Sequence, residues 1–227
     1  MRGEDGTAVQ QSLFPSPPET DRFSFERDLI RRGFQAIAGT DEAGRGPLAG
    51  PVVAASVILP VDCDYQQFND SKKLTFKARN RLYDVLRDMA VSIGISIIPE
   101  TVIDRINILQ ASLLAMKKSL EALTVPPDFV LVDGKFPVPV AVSQQALIKG
   151  DSRSASIAAA SIIAKVTRDE IMVKYHRQYP QYNFCKNKGY PTAEHRRVLA
   201  AEGPCPLHRR SFAGVKEFFE SGSDLKP

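Results

Sequence analysis

Short apolar stretches bounded by Gly, Pro or Asp recur along the chain and predict a set of β-strands. Most are rich in Val, Ile and Ala, and one alternates between apolar and small polar residues, as strands of a buried sheet do. The ranges that fit this pattern are Gln35–Thr40, Pro51–Leu59, Val91–Ile98, Phe129–Val132 and Ala146–Ile148. The first strand is expected to end at Asp41.

Stretches with helical spacing lie between and after the predicted strands. In Glu100–Leu123 apolar residues recur at every third or fourth position and Pro126 follows, so one long helix is predicted there. Further helices are predicted for Phe23–Arg32, for Thr75–Met89 with Thr75 as its N-cap, for about Ser154–Tyr179 and for about Thr192–Ala200. Strands and helices in this order indicate an α/β layered fold.

Composition narrows the class of protein. Hydrophobic residues make up 43% and charged residues 25% of the 227 residues, which is ordinary for a soluble globular protein. No apolar run approaches the roughly 20 residues of a membrane span, and no secretory signal pattern opens the chain, so no membrane partner is expected. Cys63, Cys185 and Cys205 form no C-x-x-C pair, which favours free thiols and a cytoplasmic location. Residues 1–21 are polar and rich in Pro, Ser and Gln, and are expected to form a disordered tail.

Positive charge is concentrated in the C-terminal third of the chain. The formal net charge is +4, yet the segment Lys174–Lys216 alone carries nine Lys or Arg residues against two Glu, which is +7. A basic segment beside a mildly acidic body suits a polyanionic partner such as a nucleic acid. A solvated basic face accounts for the same charge equally well.

Carboxylates stand at the ends of three predicted strands, at Asp41-Glu42, Asp133 and Asp151. Taken singly, each has an ordinary structural role, such as a turn residue or, for Asp151, a helix cap. Taken together they predict a site for Mg²⁺ or Mn²⁺, because these cations prefer oxygen ligands and would neutralise the repulsion between the acids. Asp169 is expected either on the helix surface or behind the ligands of the site, since it lies about 20 Å along its helix, which makes a direct ligand role doubtful.

Neighbouring strand residues face opposite sides of a sheet, which bears on the first pair of acids. Asp41 and Glu42 both serve such a site only if the strand ends between them and the following Ala-Gly-Arg-Gly. Asp41 is the better candidate of the two. Two cations held in this way are able to activate a water and stabilise the departing oxygen in phosphodiester cleavage.

Successive motifs give the chain a specific resemblance. The stretch TDEAGRGPLAGPVV at Thr40–Val53 resembles the opening motif of the type 2 ribonucleases H, specifically bacterial ribonuclease HII. The likeness covers about residues 34–216 in order. It continues in NDSKKL at Asn69–Leu74, VDG at Val132–Gly134, IKGDSRSASIAAASIIAKVTRDE at Ile148–Glu170, NKGYPTAEHRR at Asn187–Arg197 and PLHRRSFAGV at Pro206–Val215.

The resemblance implies an RNase H-like fold, with a mixed central sheet flanked by helices and a helical C-terminal extension. It implies a catalytic core at 22–180, a basic substrate-binding segment at 181–216 and a tail at 217–227. The implied enzyme hydrolyses the RNA strand of RNA–DNA hybrids and nicks 5′ of single ribonucleotides in duplex DNA, with Mn²⁺ or Mg²⁺, leaving 5′-phosphate and 3′-hydroxyl ends. The residues that match the family's catalytic and metal-binding acids are Asp41, Glu42, Asp133 and Asp151.

The resemblance also implies which residues meet the substrate. Gly44, Arg45 and Gly46 would sense the ribose 2′-hydroxyl, since glycines allow close approach of the backbone. Tyr190 would pack against the next deoxyribose, although without the resemblance a core tyrosine is the commoner role. Phosphate contacts are expected from Lys72, Lys73, Lys165, Arg196, Arg209 and Arg210, and backbone contacts from Ser152, Arg153 and Ser154. His195 and His208 are expected to be structural.

Two other functions compete with this interpretation. One is a DNA endonuclease of the same fold, which a substrate comparison would separate because it needs no ribonucleotide. The other is a non-catalytic nucleic-acid-binding protein that uses the basic segment. No dimer-forming stripe is visible, so a monomer is expected, and the preferred metal and any protein partner stay open.

Overall fold

A mixed five-stranded sheet forms the centre of the fold in the computed structural model, which describes residues 21–63, 68 and 75–220. Its strands lie in the order β3-β2-β1-β4-β5. They comprise β1 (Ile37–Ala43), β2 (Val52–Ile58), β3 (Ser92–Ile98), β4 (Phe129–Asp133) and β5 (Ser143–Leu147). β2 pairs antiparallel with both β1 and β3, whereas β4 pairs parallel with both β1 and β5. All five predicted strands are therefore confirmed, with shifted ends.

The helices begin where the sequence supplies caps. The side chains of Thr75, Ser154 and Thr192 each accept a hydrogen bond from a backbone N–H in the first turn of the helix that follows. The helices are α1 (Ser24–Arg31), α2 (Phe76–Met89), α3 (Glu100–Ile106), α4 (Ile108–Glu121), α5 (Ala155–Gln178), α6 (Phe184–Asn187), α7 (Ala193–Glu202) and α8 (Glu217–Glu220). Short 3₁₀ turns occupy Gly150–Ser152 and Pro180–Tyr182.

The single helix predicted for residues 100–123 is wrong, because the chain breaks at Asn107. This residue has a φ of 67°, which ends α3, and its side chain accepts from the N–H of Gln110 to cap α4. Asparagine adopts left-handed backbone more readily than most residues. Apolar spacing did not reveal the break, since Ile103 of α3 and Met116 of α4 belong to the same buried cluster.

The predicted end of the first strand at Asp41 is also wrong. β1 continues through both acids to Ala43, and Asp41 pairs with Ala55 while Glu42 pairs with Ala54 on β2. The parallel pairing with β4 stops earlier, at Thr40 opposite Val132. The last residues of β1 therefore extend past the paired part of β4.

Helices cover both faces of the sheet at close range. Ala55 and Val57 of β2 pack with α5, whereas the alternate positions Val52, Ala54 and Ile58 pack with α4. A Cβ at Gly39 of β1 would lie 2.1 Å from a backbone carbon of α5, so only glycine lets this helix approach so closely. The small residues at the start of α5 therefore set the distance between this helix and β1, the strand that carries Asp41 and Glu42.

The C-terminal segment packs on the far end of α5 and on the loop after β1. Its buried cluster joins residues of that loop, one residue of α5 and residues of the segment itself, namely Leu48, Ala49, Met172, Tyr182, Phe184, Leu199, Leu207 and Val215. The predicted tail at 217–227 begins as the short helix α8. Asp21, assigned to the N-terminal tail, bonds the N–H of Phe23 and pairs with Arg27.

Some predictions lie outside the described residues. These are the rest of the N-terminal tail, the end of the C-terminal tail, and the phosphate contacts expected from Lys72 and Lys73. Within the described part, no helix combines the length and apolarity required to cross a membrane.

Candidate active site

A cavity of about 460 Å³ opens at the carboxyl ends of β1 and β4. Three of the four predicted acids line it, together with the Gly-Arg-Gly loop and residues of two helices. The lining residues are Asp41, Glu42, Ala43, Gly44, Arg45, Gly46, Arg79, Asp133, Ser161, Lys165 and Tyr190. Parallel strands end at this edge of the sheet, which is where ligand sites in α/β folds gather.

Asp41 carries a strongly perturbed carboxyl group in the cavity. Burial raises its pKa well above the ordinary value, and the charges of Glu42 and Asp133 raise it further. Asp151 adds a smaller contribution in the same direction. One carboxylate oxygen of Asp41 accepts from the N–H of Glu42 at 2.6 Å, which opposes the rise. The charged form of the Asp41 carboxyl group is therefore unfavourable in this cavity, and a nearby positive charge would stabilise it.

Glu42 faces the same cavity although it neighbours Asp41 on a strand. Burial raises the pKa of Glu42, and the guanidinium of Arg45 lowers it in opposition from 3.2 Å. Only 6% of the Glu42 side chain is exposed, against 53% for its Arg45 partner. Both acids reach the cavity because β4 no longer flanks this end of β1.

Asp133 and Asp151 are tied together through one turn. The carboxylate of Asp133, the last residue of β4, accepts from the N–H of Gly150 at 2.7 Å. That bond fixes the 3₁₀ turn that carries Asp151. Asp151 is buried, and its charge reaches Asp41, but it is not among the residues that line the cavity. The fold thus brings all four predicted acids to one end of the sheet.

The acids are neighbours without forming a ready coordination sphere. Across residues 21–63, 68 and 75–220, no three His, Cys, Asp or Glu side chains are placed to hold one metal ion. The donors are nevertheless of one kind, carboxylate oxygens, and they repel one another in a partly desolvated cavity. This donor set fits a hard divalent cation such as Mg²⁺ or Mn²⁺ rather than a softer ion.

The Gly-Arg-Gly loop and Tyr190 face each other across the cavity mouth. Gly44 has a φ of 104°, and a Cβ there would lie 2.2 Å from Nε of Arg168, so a side chain is excluded. A Cβ at Gly46 would meet the Tyr190 ring at 3.7 Å. Tyr190 is 42% exposed, which excludes the alternative of a core tyrosine. Nζ of Lys165 lies 6.0 Å from the centroid of its ring.

Arg209 does not act as the predicted phosphate contact. Its side chain is fully buried, and its guanidinium donates to backbone carbonyl oxygens of the loop after β1. The acceptors are those of Gly44, Arg45, Gly50 and Pro51, at 2.6 to 3.2 Å. Burial lowers its pKa to about 9. Arg209 therefore shapes the loop, and its buried guanidinium is not exposed to a nucleic acid.

Arg168 on α5 provides a second buried guanidinium in the same place, which sequence reasoning missed. It donates to the carbonyl oxygens of Ala49, Pro51 and Lys188 at 2.9 to 3.1 Å. It thus joins the loop after β1 to the segment that leads to Tyr190. Nothing in its sequence context distinguishes it from an exposed helix arginine.

The other predicted basic contacts divide into two groups. Lys165 lines the cavity and pairs with Asp169 at 2.6 Å. Asp169 is buried behind Lys165, so of its two expected places the helix surface is wrong. Arg196 and Arg210 are exposed and lie outside the cavity lining.

The serines and arginine after Asp151 differ from one another. Ser152 and Arg153 are exposed, as a contact to nucleic-acid backbone requires. Ser154 is fully buried, caps α5 and donates to Glu26 at 2.6 Å, so its predicted backbone contact is wrong.

Arg79 and Ser161 line the cavity and were not identified from the sequence. Ser161 stands four residues before Lys165 on α5, so helical spacing would have placed the two on one face. Arg79 lies on α2, whose position beside the cavity depends on the tertiary fold.

Comparisons with known proteins agree with the fold and the motifs. The family model for ribonuclease HII matches residues 38–215. Ribonuclease HII of Desulfotalea psychrophila is 57% identical over 203 residues, which cover 88% of this chain and 90% of that protein. The crystal structure of ribonuclease H2 from Pyrococcus horikoshii superposes with a TM-score of 0.68 at 26% identity, covering 84% of this chain and all of that one.

A more distant structure shares the fold. Bst-RNase HIII, whose crystal structure is in complex with Mn²⁺, superposes with a TM-score of 0.66 at 19% identity, covering 84% of this chain and 71% of that one. The predicted RNase H-like fold is therefore confirmed. The match over most of its length, with the family's motifs at the edge of the sheet, shows that the chain belongs to the ribonuclease HII family.

Proposed function

We propose that this ribonuclease is an endonuclease that cuts the RNA strand of RNA–DNA hybrids and nicks duplex DNA on the 5′ side of single ribonucleotides. The reaction is hydrolysis of a phosphodiester, which leaves a 5′-phosphate and a 3′-hydroxyl. The observation that carries the proposal is the convergence of Asp41, Glu42 and Asp133 in one cavity beside the Gly-Arg-Gly loop and Tyr190. We propose that the monomer is the active unit.

The carboxylates would hold two divalent cations, Mn²⁺ or Mg²⁺, through Asp41, Glu42, Asp133 and Asp151. When bound, such cations activate a water and stabilise the leaving oxygen. The protein's own contribution is a set of acids fixed at low exposure, whose mutual repulsion is relieved on binding positive charge. The Arg45 guanidinium on Glu42 would have to yield part of its contact for that residue to ligate.

Selection of a ribonucleotide is assigned to the two segments that meet at the cavity mouth. The backbone at Gly44 and Gly46 carries no side chains, and a Cβ at Gly46 would lie 3.7 Å from the ring of Tyr190. A 2′-hydroxyl is both donor and acceptor, so backbone groups at such a surface distinguish RNA from DNA. The exposed ring of Tyr190 offers a flat surface to the sugar that follows.

The helix side of the cavity is positively charged and suits the phosphate backbone. Lys165 from α5 and Arg79 from α2 line the cavity together with the acids. Lys165 is held by Asp169, which limits the freedom of its ammonium group. A phosphate placed between these side chains and the acids would be oriented before cleavage.

The test compares Asp133→Asn with Asp84→Asn, which makes the same change on the exposed surface of α2. Each variant is incubated with a labelled RNA–DNA hybrid and Mn²⁺ or Mg²⁺. We expect Asp133→Asn to lose cleavage by at least about a thousandfold, since a ligand of the cations is removed, and to bind the hybrid nearly as well as the wild type. Asp84→Asn should cleave normally. Full activity of Asp133→Asn would contradict the site.

A further inference from the structure

A chain of hydrogen bonds through two buried histidines ends on the backbone of Tyr190. Nδ1 of His195 lies 2.9 Å from the Tyr190 carbonyl oxygen, and its Nε2 lies 3.1 Å from Nε2 of His208. The two histidines are 0% and 2% exposed. Neither lines the cavity, so the proposed chemistry does not account for them.

The partners fix which ring nitrogens carry hydrogen. Burial lowers the pKa of His195 and brings that of His208 to about 4, so both rings are neutral at neutral pH. A carbonyl oxygen only accepts, so Nδ1 of His195 is the donor and its Nε2 is bare. Nε2 of His208 must then donate, which leaves Nδ1 of His208 as an acceptor.

The far end of the chain supports this direction independently. The backbone N–H of Cys205 lies 3.0 Å from Nδ1 of His208, closer than the Cys205 carbonyl oxygen at 3.3 Å, and this shorter contact favours a bare nitrogen. The thiol of Cys205 lies 3.2 Å from the same nitrogen, and burial raises its pKa to about 11, so it stays protonated and adds no charge beside His208. Each hydrogen bond from Cys205 through His208 and His195 to Tyr190 thus has one donor and one acceptor.

Aromatic rings enclose the histidine pair. The Tyr182 ring lies 4.8 Å from that of His208, and the Phe184 ring lies 5.6 Å from that of His195, centroid to centroid. Hydrogen bonds are stronger in such apolar surroundings, and an unpaired nitrogen there is costly. The pair therefore holds one geometry firmly.

The same pair is anchored to the segment that follows the Gly-Arg-Gly loop. His208 forms an isolated antiparallel bridge with Ala49, and the N–H of the next residue, Arg209, donates to the carbonyl of Leu48 at 2.8 Å. The chain of hydrogen bonds therefore connects the loop after β1 to the Tyr190 backbone. The Tyr190 carbonyl also accepts from the N–H of Thr192, so both of its lone pairs are used.

We infer that His195 and His208 are positioning residues, which hold the Tyr190 ring in register with the Gly-Arg-Gly loop through the Tyr190 carbonyl group. The inference rests on the proposed function, in which these two segments meet the ribonucleotide and the sugar after it. The histidines themselves touch no substrate in this scheme. Their effect is confined to how well the enzyme discriminates a single ribonucleotide in DNA.

Nitrogen-detected NMR of the imidazole rings tests the chain directly in the full-length protein. At neutral pH we expect His195 to carry its hydrogen on Nδ1 and His208 to carry its hydrogen on Nε2. His176, which lies on α5 and takes no part in this chain of hydrogen bonds, serves as the reference ring. The opposite tautomer at either His195 or His208 would overturn the inference, and no activity or metal enters this measurement.

Kinetics test the consequence for specificity. Cleavage of a DNA duplex with one ribonucleotide is compared with cleavage of a uniform RNA–DNA hybrid, each as kcat/KM. His195→Leu should lower the ratio of the two values about three- to tenfold, as expected for one lost buried hydrogen bond. His195→Asn should retain most of the ratio, because its amide nitrogen lies as many bonds from Cα as Nδ1 does and still reaches the Tyr190 carbonyl.

A second background separates positioning from general stability. In a Tyr190→Ala protein the ring is already gone, so His195→Leu should change the ratio less than about twofold. An equal loss in both backgrounds, or an equal loss on both substrates, would overturn the positioning role. If Tyr190→Ala by itself leaves the ratio unchanged, the proposed role of Tyr190 fails first, which is a distinct result. His176→Leu is the matched control and should leave the ratio as in the wild type.

Discussion

Replacing Arg209 by leucine is expected to destabilise the protein rather than only weaken its grip on nucleic acid. The guanidinium is fully buried and makes four hydrogen bonds to carbonyl groups of the loop Gly44–Pro51. Leucine fills part of the volume but offers no donor. The loop that borders the cavity would therefore lose the group that holds its carbonyls inward.

The size of the effect follows from how many acceptors lose their donor. The Pro51 carbonyl keeps the bond from Arg168 at 2.9 Å, so three carbonyls are left without the guanidinium. A buried acceptor that loses its partner costs about 1–3 kcal/mol. With the loop edge partly open to water, we expect a loss of about 3–5 kcal/mol in the free energy of unfolding, which lowers Tm by about 10 °C for a chain of this size.

Chemical and thermal denaturation of Arg209→Leu beside Arg210→Leu measures this. Arg210 is the exposed neighbour, and its guanidinium lies 4.7 Å from the centroid of the Phe219 ring. Its replacement should cost less than about 1 kcal/mol. If Arg209→Leu kept wild-type stability and lost only affinity for a hybrid, the side chain would have to reach phosphate, and the loop-holding role would be refuted.

Three further changes have defined outcomes. Tyr190→Ala should reduce nicking at single ribonucleotides at least about threefold more than cleavage of long hybrids, since a stacking surface is removed; equal loss in the two assays would make the ring a structural support. Gly39→Ala should cost about 3 kcal/mol or more in urea unfolding because its Cβ would lie 2.1 Å from the backbone of α5, and wild-type stability would contradict the close packing. Burial raises the pKa of Glu26, so the folded state holds a proton that the unfolded chain releases. The free energy of unfolding should therefore fall as pH rises from 4.5 to the raised pKa of Glu26. Glu26→Gln should flatten this slope, and an unchanged slope would exclude Glu26 as its source.

Patterns of apolar residues were sufficient to predict the strands and most helices, because the spacing of apolar residues within each element shows which of its faces is buried. Thr75, Ser154 and Thr192 cap helices through contacts within one turn, so the sequence locates those starts well. Asn107 shows the limit of such patterns. A single residue with left-handed backbone breaks the helix, while the apolar face continues on either side of it. The spacing of apolar residues alone therefore predicts one unbroken helix.

The site shows the same division between local and non-local information. Motifs located the acids, but whether Glu42 reaches the cavity depends on where β4 stops pairing with β1, which is a property of the sheet. Arg209 illustrates the opposite error, since a basic residue in a basic segment resembles a phosphate contact until its burial is known. Arg79 enters the cavity only through the packing of α2, which no local pattern encodes.

Cleavage of a DNA duplex that contains one ribonucleotide, with Mn²⁺, Mg²⁺ or a chelator, tests the central claim most directly. The purified protein should nick this duplex on the 5′ side of the ribonucleotide when either cation is present, leave a 3′-hydroxyl and a 5′-phosphate, and do nothing in chelator. The same duplex made entirely of DNA should stay intact. Cutting of the all-DNA duplex, or unchanged nicking in chelator, would contradict a metal-dependent site built to recognise the ribose.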